Sequence, residues 1–238
     1  MKTNLLKKIN NRSYYFLPLL LTLVLLAACT DEEETPYEVN TLINFSDDFS
    51  DVNSGWYVYT NDVSSQFYTD QNTYEIKAKN IDLICSAMAP IERLKPNYNI
   101  EVQLNHLQMD GNAGLVFNGI ENGDLSDYYL FQLKPYAGRY RISRKNELSG
   151  DDWTHLTEWE LCYPHLNEPN TISLSQNQDI ATFYLNGDII EEISGLPTHP
   201  EGVNVGIFVS SFETGTDTLT TPIICEFDDF EVSGNGVE

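Results

Sequence analysis

Tyr98-Asn99-Ile100-Glu101-Val102-Gln103-Leu104-Asn105 alternates apolar and polar residues without a break. Period two sends successive side chains to opposite faces of an extended strand, so one face is dry and the other wet. Tyr98, Ile100, Val102 and Leu104 are the buried set. The same alternation, or a short apolar run, recurs at 74–78, 82–88, 114–117, 128–133, 140–144, 171–174, 180–185, 205–209 and 223–227. Turn-forming residues separate these runs: Met109-Asp-Gly-Asn112, Glu121-Asn-Gly-Asp124, Tyr136-Ala-Gly138 and Asn186-Gly-Asp188. Asn186-Gly187 tolerates positive φ at both positions and predicts a two-residue hairpin. No stretch of ten residues carries a helical stripe. Many short strands with frequent turns predict an all-β sandwich or barrel. With no internal repeat and no mid-chain linker, the expected domain is 41–234, followed by a flexible tail at 235–238.

The chain has 238 residues, 13 Lys+Arg against 36 Asp+Glu, and a formal charge of −23. The first 28 residues hold Lys2, Lys7, Lys8 and Arg12 and no acid, which leaves nine basic residues against 36 acids from Cys29 onward. Such a surface repels phosphate backbones and excludes nucleic acid as a general partner. An apolar content of 41% and an aromatic content of 12% suffice for a core and argue against disorder.

Tyr14–Ala28 is apolar over 15 residues, short of the roughly 20 that span a bilayer. A basic start, a short apolar run and small residues at its end describe an export signal, 1–28. Leu26-Ala27-Ala28-Cys29 resembles the lipobox of bacterial lipoproteins. The resemblance implies cleavage before Cys29, diacylglycerol on its sulfur, and the membrane as a partner through that lipid. Thr30-Asp31-Glu32-Glu33-Glu34 opens a self-repelling tether, 29–40. It resembles the acidic export run of surface-displayed lipoproteins, which implies an outer-membrane, outward-facing location. The alternative is a polar spacer without sorting meaning. Cys85, Cys162 and Cys225 remain. None has zinc-finger or C-x-x-C spacing, so buried thiols are expected, with a Cys85–Cys225 disulfide as the alternative.

Longer phrases carry a second resemblance. Phe45-Ser-Asp-Asp-Phe49 and Ser54-Gly-Trp56 are followed by Tyr128–Leu133, Gly138–Ile142, Trp153–Trp159, Ala181–Gly187, Val205–Phe208 and Glu226–Val232. The ordered set resembles the concanavalin A-like lectin/glucanase superfamily in its laminin-G-like bacterial form. It implies a jelly roll of two antiparallel sheets. That superfamily includes sugar-binding modules, glycoside hydrolases and protein-binding modules, so fold alone does not choose among them.

Glu226-Phe-Asp228-Asp-Phe-Glu231 fits the Glu-x-Asp-x-x-Glu spacing of one glycosidase family. Core phasing requires an extra residue near Asp228–Asp229, and such a bulge turns Glu226, Asp228 and Glu231 to one face. A retaining mechanism needs two carboxyls roughly 5–5.5 Å apart. Against catalysis, this motif lies on the final strand rather than on a mid-chain strand, and Asp229 stands where that family prefers an apolar residue.

Asp47, Asp48, Asp228 and Asp229 converge if first and last strands are neighbours. A structural calcium is then the one cofactor left open, against four acids that simply point to water. Trp153, Trp159 and Tyr136 are the candidate stacking platforms for a polysaccharide, with Trp56 expected in the core. Arg139 and Arg141 belong to a basic hairpin, Lys134 to Lys145, that holds five of the nine basic residues after the signal. Guanidinium forks match carboxylate and sulfate groups. The expectation is a non-catalytic, surface-anchored, carbohydrate-binding lipoprotein. The alternatives are a structural or protein-interaction module and, third, a glycoside hydrolase.

Overall fold

The computed structural model describes residues 41–107, 111–122, 125–148, 150, 152–212 and 221–237. The signal segment, Cys29 and the tether lie outside the described residues. The first eight strands are β1 (Leu42–Asp47), β2 (Tyr59–Thr60), β3 (Ser64–Tyr68), β4 (Tyr74–Ala78), β5 (Ile84–Met88), β6 (Leu94–Leu107), β7 (Asn112–Asn122) and β8 (Leu125–Lys134). The rest are β9 (Arg139–Asn146), β10 (Asp152–His155), β11 (Glu160–Leu161), β12 (Asn170–Asn177), β13 (Ile180–Leu185), β14 (Asp188–Ile193), β15 (Asn204–Ser210) and β16 (Ile223–Gly236). A single 3-10 turn, Pro135–Ala137, is the only helical element among the described residues.

Two antiparallel sheets form a jelly-roll sandwich. Sheet A runs β14-β13-β12-β6-β16-β4-β3-β2, with β1 also on β16. Sheet B runs β10-β9-β8-β7-β15-β5, with β11 also on β9. The alternation at 98–105 holds: Tyr98, Ile100, Val102 and Leu104 are buried. Facing them from sheet B are Leu115, Phe117, Phe131, Ile142 and Ile207, all fully buried. Phe183 of β13 ties the layers together. Its ring lies 5.5 Å from Phe117 and 5.2 Å from Phe131, both edge-on.

The bulge demanded by core phasing is present. Asp229 takes φ of 46°, and the β6–β16 register shifts between Asp228 and Glu231. Phe227 and Phe230 therefore both reach the core. At the hairpin between β13 and β14, Asn186 and Gly187 have φ of 52° and 84°.

First and last strands are neighbours, from Leu42 opposite Asn235 to Asp47 opposite Phe230. This corrects the expected tail. Asn235 and Gly236 end β16, the Gly236 amide donates to the Thr41 carbonyl at 2.7 Å, and the Val237 amide donates to Arg93 at 3.0 Å. Cys85, Cys162 and Cys225 are free and buried. Cys85 lies on sheet B and Cys225 on sheet A, and no disulfide joins them. Burial pushes the Cys162 thiol up to about 11.

Candidate functional site

The outer face of sheet B is where the expected binding residues meet. β8 and β9 form a continuous hairpin pair, with Lys134 opposite Arg139, Gln132 opposite Arg141, Leu130 opposite Ser143 and Tyr128 opposite Lys145. Opposed residues share a face. Tyr140 and Ile142 belong to the core, so Arg139, Arg141, Ser143 and Lys145 point outward, as their parity predicts.

Beyond β9, β10 and β11 act as one interrupted edge strand. His155 lies opposite Ser143 and Glu160 opposite Tyr140. Five steps on this strand therefore match three on β9. The insertion is even, so Trp153 and Trp159 keep the same face. Thr157 fills the interruption, its hydroxyl accepting the Ile142 amide at 3.0 Å.

Each indole meets a cation. The Arg141 guanidinium carbon lies 4.4 Å from the Trp159 ring centroid and the Lys134 ammonium 4.5 Å. Lys145 sits 5.2 Å from the Trp153 ring. All three are within cation–π reach. Arg139, exposed, donates to the Trp159 carbonyl at 2.6 Å. Between the two indoles runs a polar chain. Arg141 donates to Gln132 Oε1 at 3.4 Å, Gln132 donates to the Ser143 hydroxyl at 2.8 Å, and that hydroxyl meets His155 Nδ1 at 3.0 Å. Nearer β5, the face turns apolar: Val116, Leu130 and Phe208 are buried beneath partly buried Ile84, Met88, Tyr128 and Trp153. Phe212 closes on Trp153 at 5.9 Å.

Tyr136 departs from this group. It stands 54% exposed on the 3-10 turn after β8 and lines an edge cleft with Leu104, His165 and Asn170. The turn carries its ring off the sheet. Trp56 is core, as expected, and donates from its indole nitrogen to Asp47 Oδ2 at 2.9 Å.

The acids lie elsewhere. Glu226, Asp228 and Glu231 share the outer face of sheet A, on the opposite side of the sandwich from both half-buried tryptophans. Glu231 lies opposite Glu101 on the neighbouring strand, and both line a groove of 610 Å³ with Asn44, Ser46, Asn99, Ser173, Ser175 and Tyr184. Small polar side chains dominate that groove.

The four aspartates do not act as one donor set. Asp47 is consumed by the Phe49 amide, the Ser54 hydroxyl and Trp56. Asp228 accepts from Asn105 at 3.1 Å and from the Asp229 amide at 2.9 Å. Asp48 and Asp229 border one cavity with Asp51 and Glu231. Hydrogen bonds from Ser50 pull the Asp48 carboxyl below its ordinary range. Partial burial, then Asp228, Asp48 and Glu231, push Asp229 up. Among the described residues no three His, Cys, Asp or Glu side chains are placed to hold a metal ion.

Sequence reading missed Gln132, Ser143 and His155. Their outward parity on β8, β9 and β10 was the available signal, but hydrophilic strand residues are ordinary until their neighbours are known.

No protein-family model and no curated protein matches the sequence. Solved structures match in fold. A β-glucanase from Bacillus licheniformis superposes with a TM-score of 0.58 at 12% identity, over 82% of this chain and 98% of that one. A protein of unknown function with a galectin-like fold from Bacillus subtilis gives 0.56 at 10% identity, over 84% and 100%. The GlcNAcα1-4Gal-releasing endo-β-galactosidase from Clostridium perfringens gives 0.57 at 12% identity over 82% of this chain, which spans 62% of that enzyme. Likeness at these identities shows the two-sheet jelly-roll fold alone and leaves the chemistry to the site itself.

Proposed function

We propose that this chain is a non-catalytic carbohydrate-binding protein, tethered by lipid on Cys29 to the outer membrane of a Gram-negative cell and facing outward. The observation that carries the reading is the outer face of sheet B. Two half-buried indoles, each beside a cation, flank the exposed His155 ring, which meets the buried Ser143 hydroxyl. Sugar recognition draws on that combination of aromatic surface and a few oriented polar groups. The position of the expected catalytic acids away from the two tryptophans supports a non-catalytic role for the sheet B face. A glycosidase needs two carboxyls beside the bound sugar, whereas Glu226 and Glu231 occupy the far sheet.

A screen of residues 41–238 against a glycan array, with released reducing ends measured in parallel, tests this reading. The expected result is binding without turnover. Turnover would establish a hydrolase. No binding to any glycan would favour adhesion to a protein, the second reading. Its support is the exposed strip Leu161, Tyr163 and Leu166, at 69, 91 and 59% exposure, beside β11.

A further inference from the structure

One cleft lies at the end of the sandwich where the chain enters β6 and β15. Arg93 precedes β6, Ile120 lies on β7, Leu148 follows β9, and the turn from His199 to Gly202 precedes β15; together they line a cleft of 480 Å³. Small-molecule sites measure roughly 300–1,000 Å³ and are mostly apolar, with a few placed polar groups. This cleft has that make-up. Ile120, Leu148 and Pro200 give it an apolar wall, and Arg93 and His199 give it hydrogen-bond donors. We infer that it binds a small carboxylic acid with an apolar body, at a site separate from the tryptophan face of sheet B.

Arg93 selects the anion. Its guanidinium has no hydrogen-bond or ion-pair partner among the described residues, and neither has the His199 ring. In a chain of 36 acidic and 13 basic residues, an arginine that meets no carboxylate stands out. Arg144, by contrast, holds Asp127 with both arms. A guanidinium fork matches a carboxylate with two parallel bonds, and an imidazole N–H adds a third. Glu201 also borders the cleft, exposed to solvent. Its charge limits the affinity for an anion without satisfying Arg93.

The backbone that carries both donors is pinned. Leu94 and Val203 exchange two amide–carbonyl bonds of 2.9 Å, the Val237 amide donates to the Arg93 carbonyl at 3.0 Å, and the Gly202 amide closes its turn on the His199 carbonyl at 2.9 Å. Gly202 is required there on two counts. Its φ is 79°, and a Cβ would come within 2.7 Å of the Arg93 Cβ. The bare glycine lets the root of the Arg93 side chain lie against the turn, which brings guanidinium and imidazole to one cleft. A frame fixed in advance lowers the ordering cost of binding.

The test titrates residues 41–238, which carry every strand of both sheets, with hexanoate, hexanamide, hexylammonium and galacturonate at physiological salt, followed by amide chemical shifts in NMR. Hexanoate is expected to bind at least fivefold more tightly than its neutral isostere hexanamide, the cation hexylammonium, or galacturonate, whose carboxylate sits on a polar ring. Arg93→Gln with an unchanged melting temperature is expected to abolish the preference over hexanamide. Leu148→Ser, at an exposed position, is expected to abolish the preference over galacturonate, and Glu201→Gln to tighten hexanoate binding. Equal affinity for hexanoate and hexanamide, an Arg93→Gln variant that keeps the preference, or silence toward hexanoate would overturn the inference. Galacturonate binding as tightly as hexanoate would overturn it too, since the apolar wall would then select nothing. None of these outcomes bears on glycan binding at Trp153 and Trp159, so the two readings stand or fall separately.

Discussion

Asp127 is a buried acid that this sandwich tolerates because one arginine meets it with both arms. Arg144 donates from Nε to Oδ1 at 2.8 Å and from a terminal nitrogen to Oδ2 at 2.5 Å. The hydrogen bond to Asp127 also pushes the guanidinium further from neutrality. Removing the cation strands the carboxylate, so Arg144→Ala is expected to lower stability by about 3 kcal/mol, measurable by urea unfolding. Asp229 is the opposite case. It adopts left-handed backbone beside three other acids, and its carboxyl is raised in the folded state. A raised carboxyl favours the fold when protonated, below its unfolded value, and that advantage is lost as pH rises through the folded value. Asn keeps the left-handed preference without the charge. Asp229→Asn is therefore expected to stabilise the fold at pH 7, by about 0.5 kcal/mol or less at this exposed site, and to leave stability unchanged at pH 3, as chemical unfolding at the two pH values would show. A stabilisation that persists at pH 3 would refute the electrostatic explanation. At this level the sequence was partly legible. Trp153 and Trp159 share parity, and so do Arg139 and Arg141, but only the even-numbered interruption between β10 and β11 makes the two pairs meet. That insertion is a tertiary fact with no local signature. Tyr136 failed because a turn residue has no parity to follow.

Strands that fill the core were readable, because burial imposes period two on their residues. β4 and β13 run as the pattern marks them, and the bulge in β16 was legible from Phe227 and Phe230 falling out of phase. β2, β10 and β11 were not readable. They are two to four residues long and lie at sheet edges, with little apolar alternation to betray them. β14 hides for a related reason: its Asp188-Ile-Ile-Glu-Glu-Ile193 does not alternate. The hairpin that joins β13 to β14 depends on backbone shape alone. A Cβ at Gly187 would have open space around it, so substitution there reports the cost of positive φ without a steric clash. Gly187→Ala is expected to cost about 1 kcal/mol in chemical unfolding, and Gly187→Asn less. Equal stability of all three would show that the turn relaxes to another type.

The formal charge of −23 describes the molecule poorly as one number, because its two outer faces differ. Sheet A presents small polar residues with Glu101, Glu226, Asp228 and Glu231. Sheet B presents two tryptophans with Lys134, Arg139 and Lys145 over the buried chain of Arg141, Gln132 and Ser143. Composition concealed a cationic cluster, since an average over the chain hides a group of residues on one strand. Which face meets a ligand is the question on which the functional reading turns. Affinity for the best array hit, measured by titration calorimetry on Trp159→Ala and on Tyr184→Ala, decides it. Tyr184 is the aromatic of the sheet A groove. A binding face on sheet B predicts at least a tenfold loss, about 1.4 kcal/mol, in Trp159→Ala and native affinity in Tyr184→Ala. Native affinity in Trp159→Ala with loss in Tyr184→Ala would place the ligand on the other sheet and contradict it.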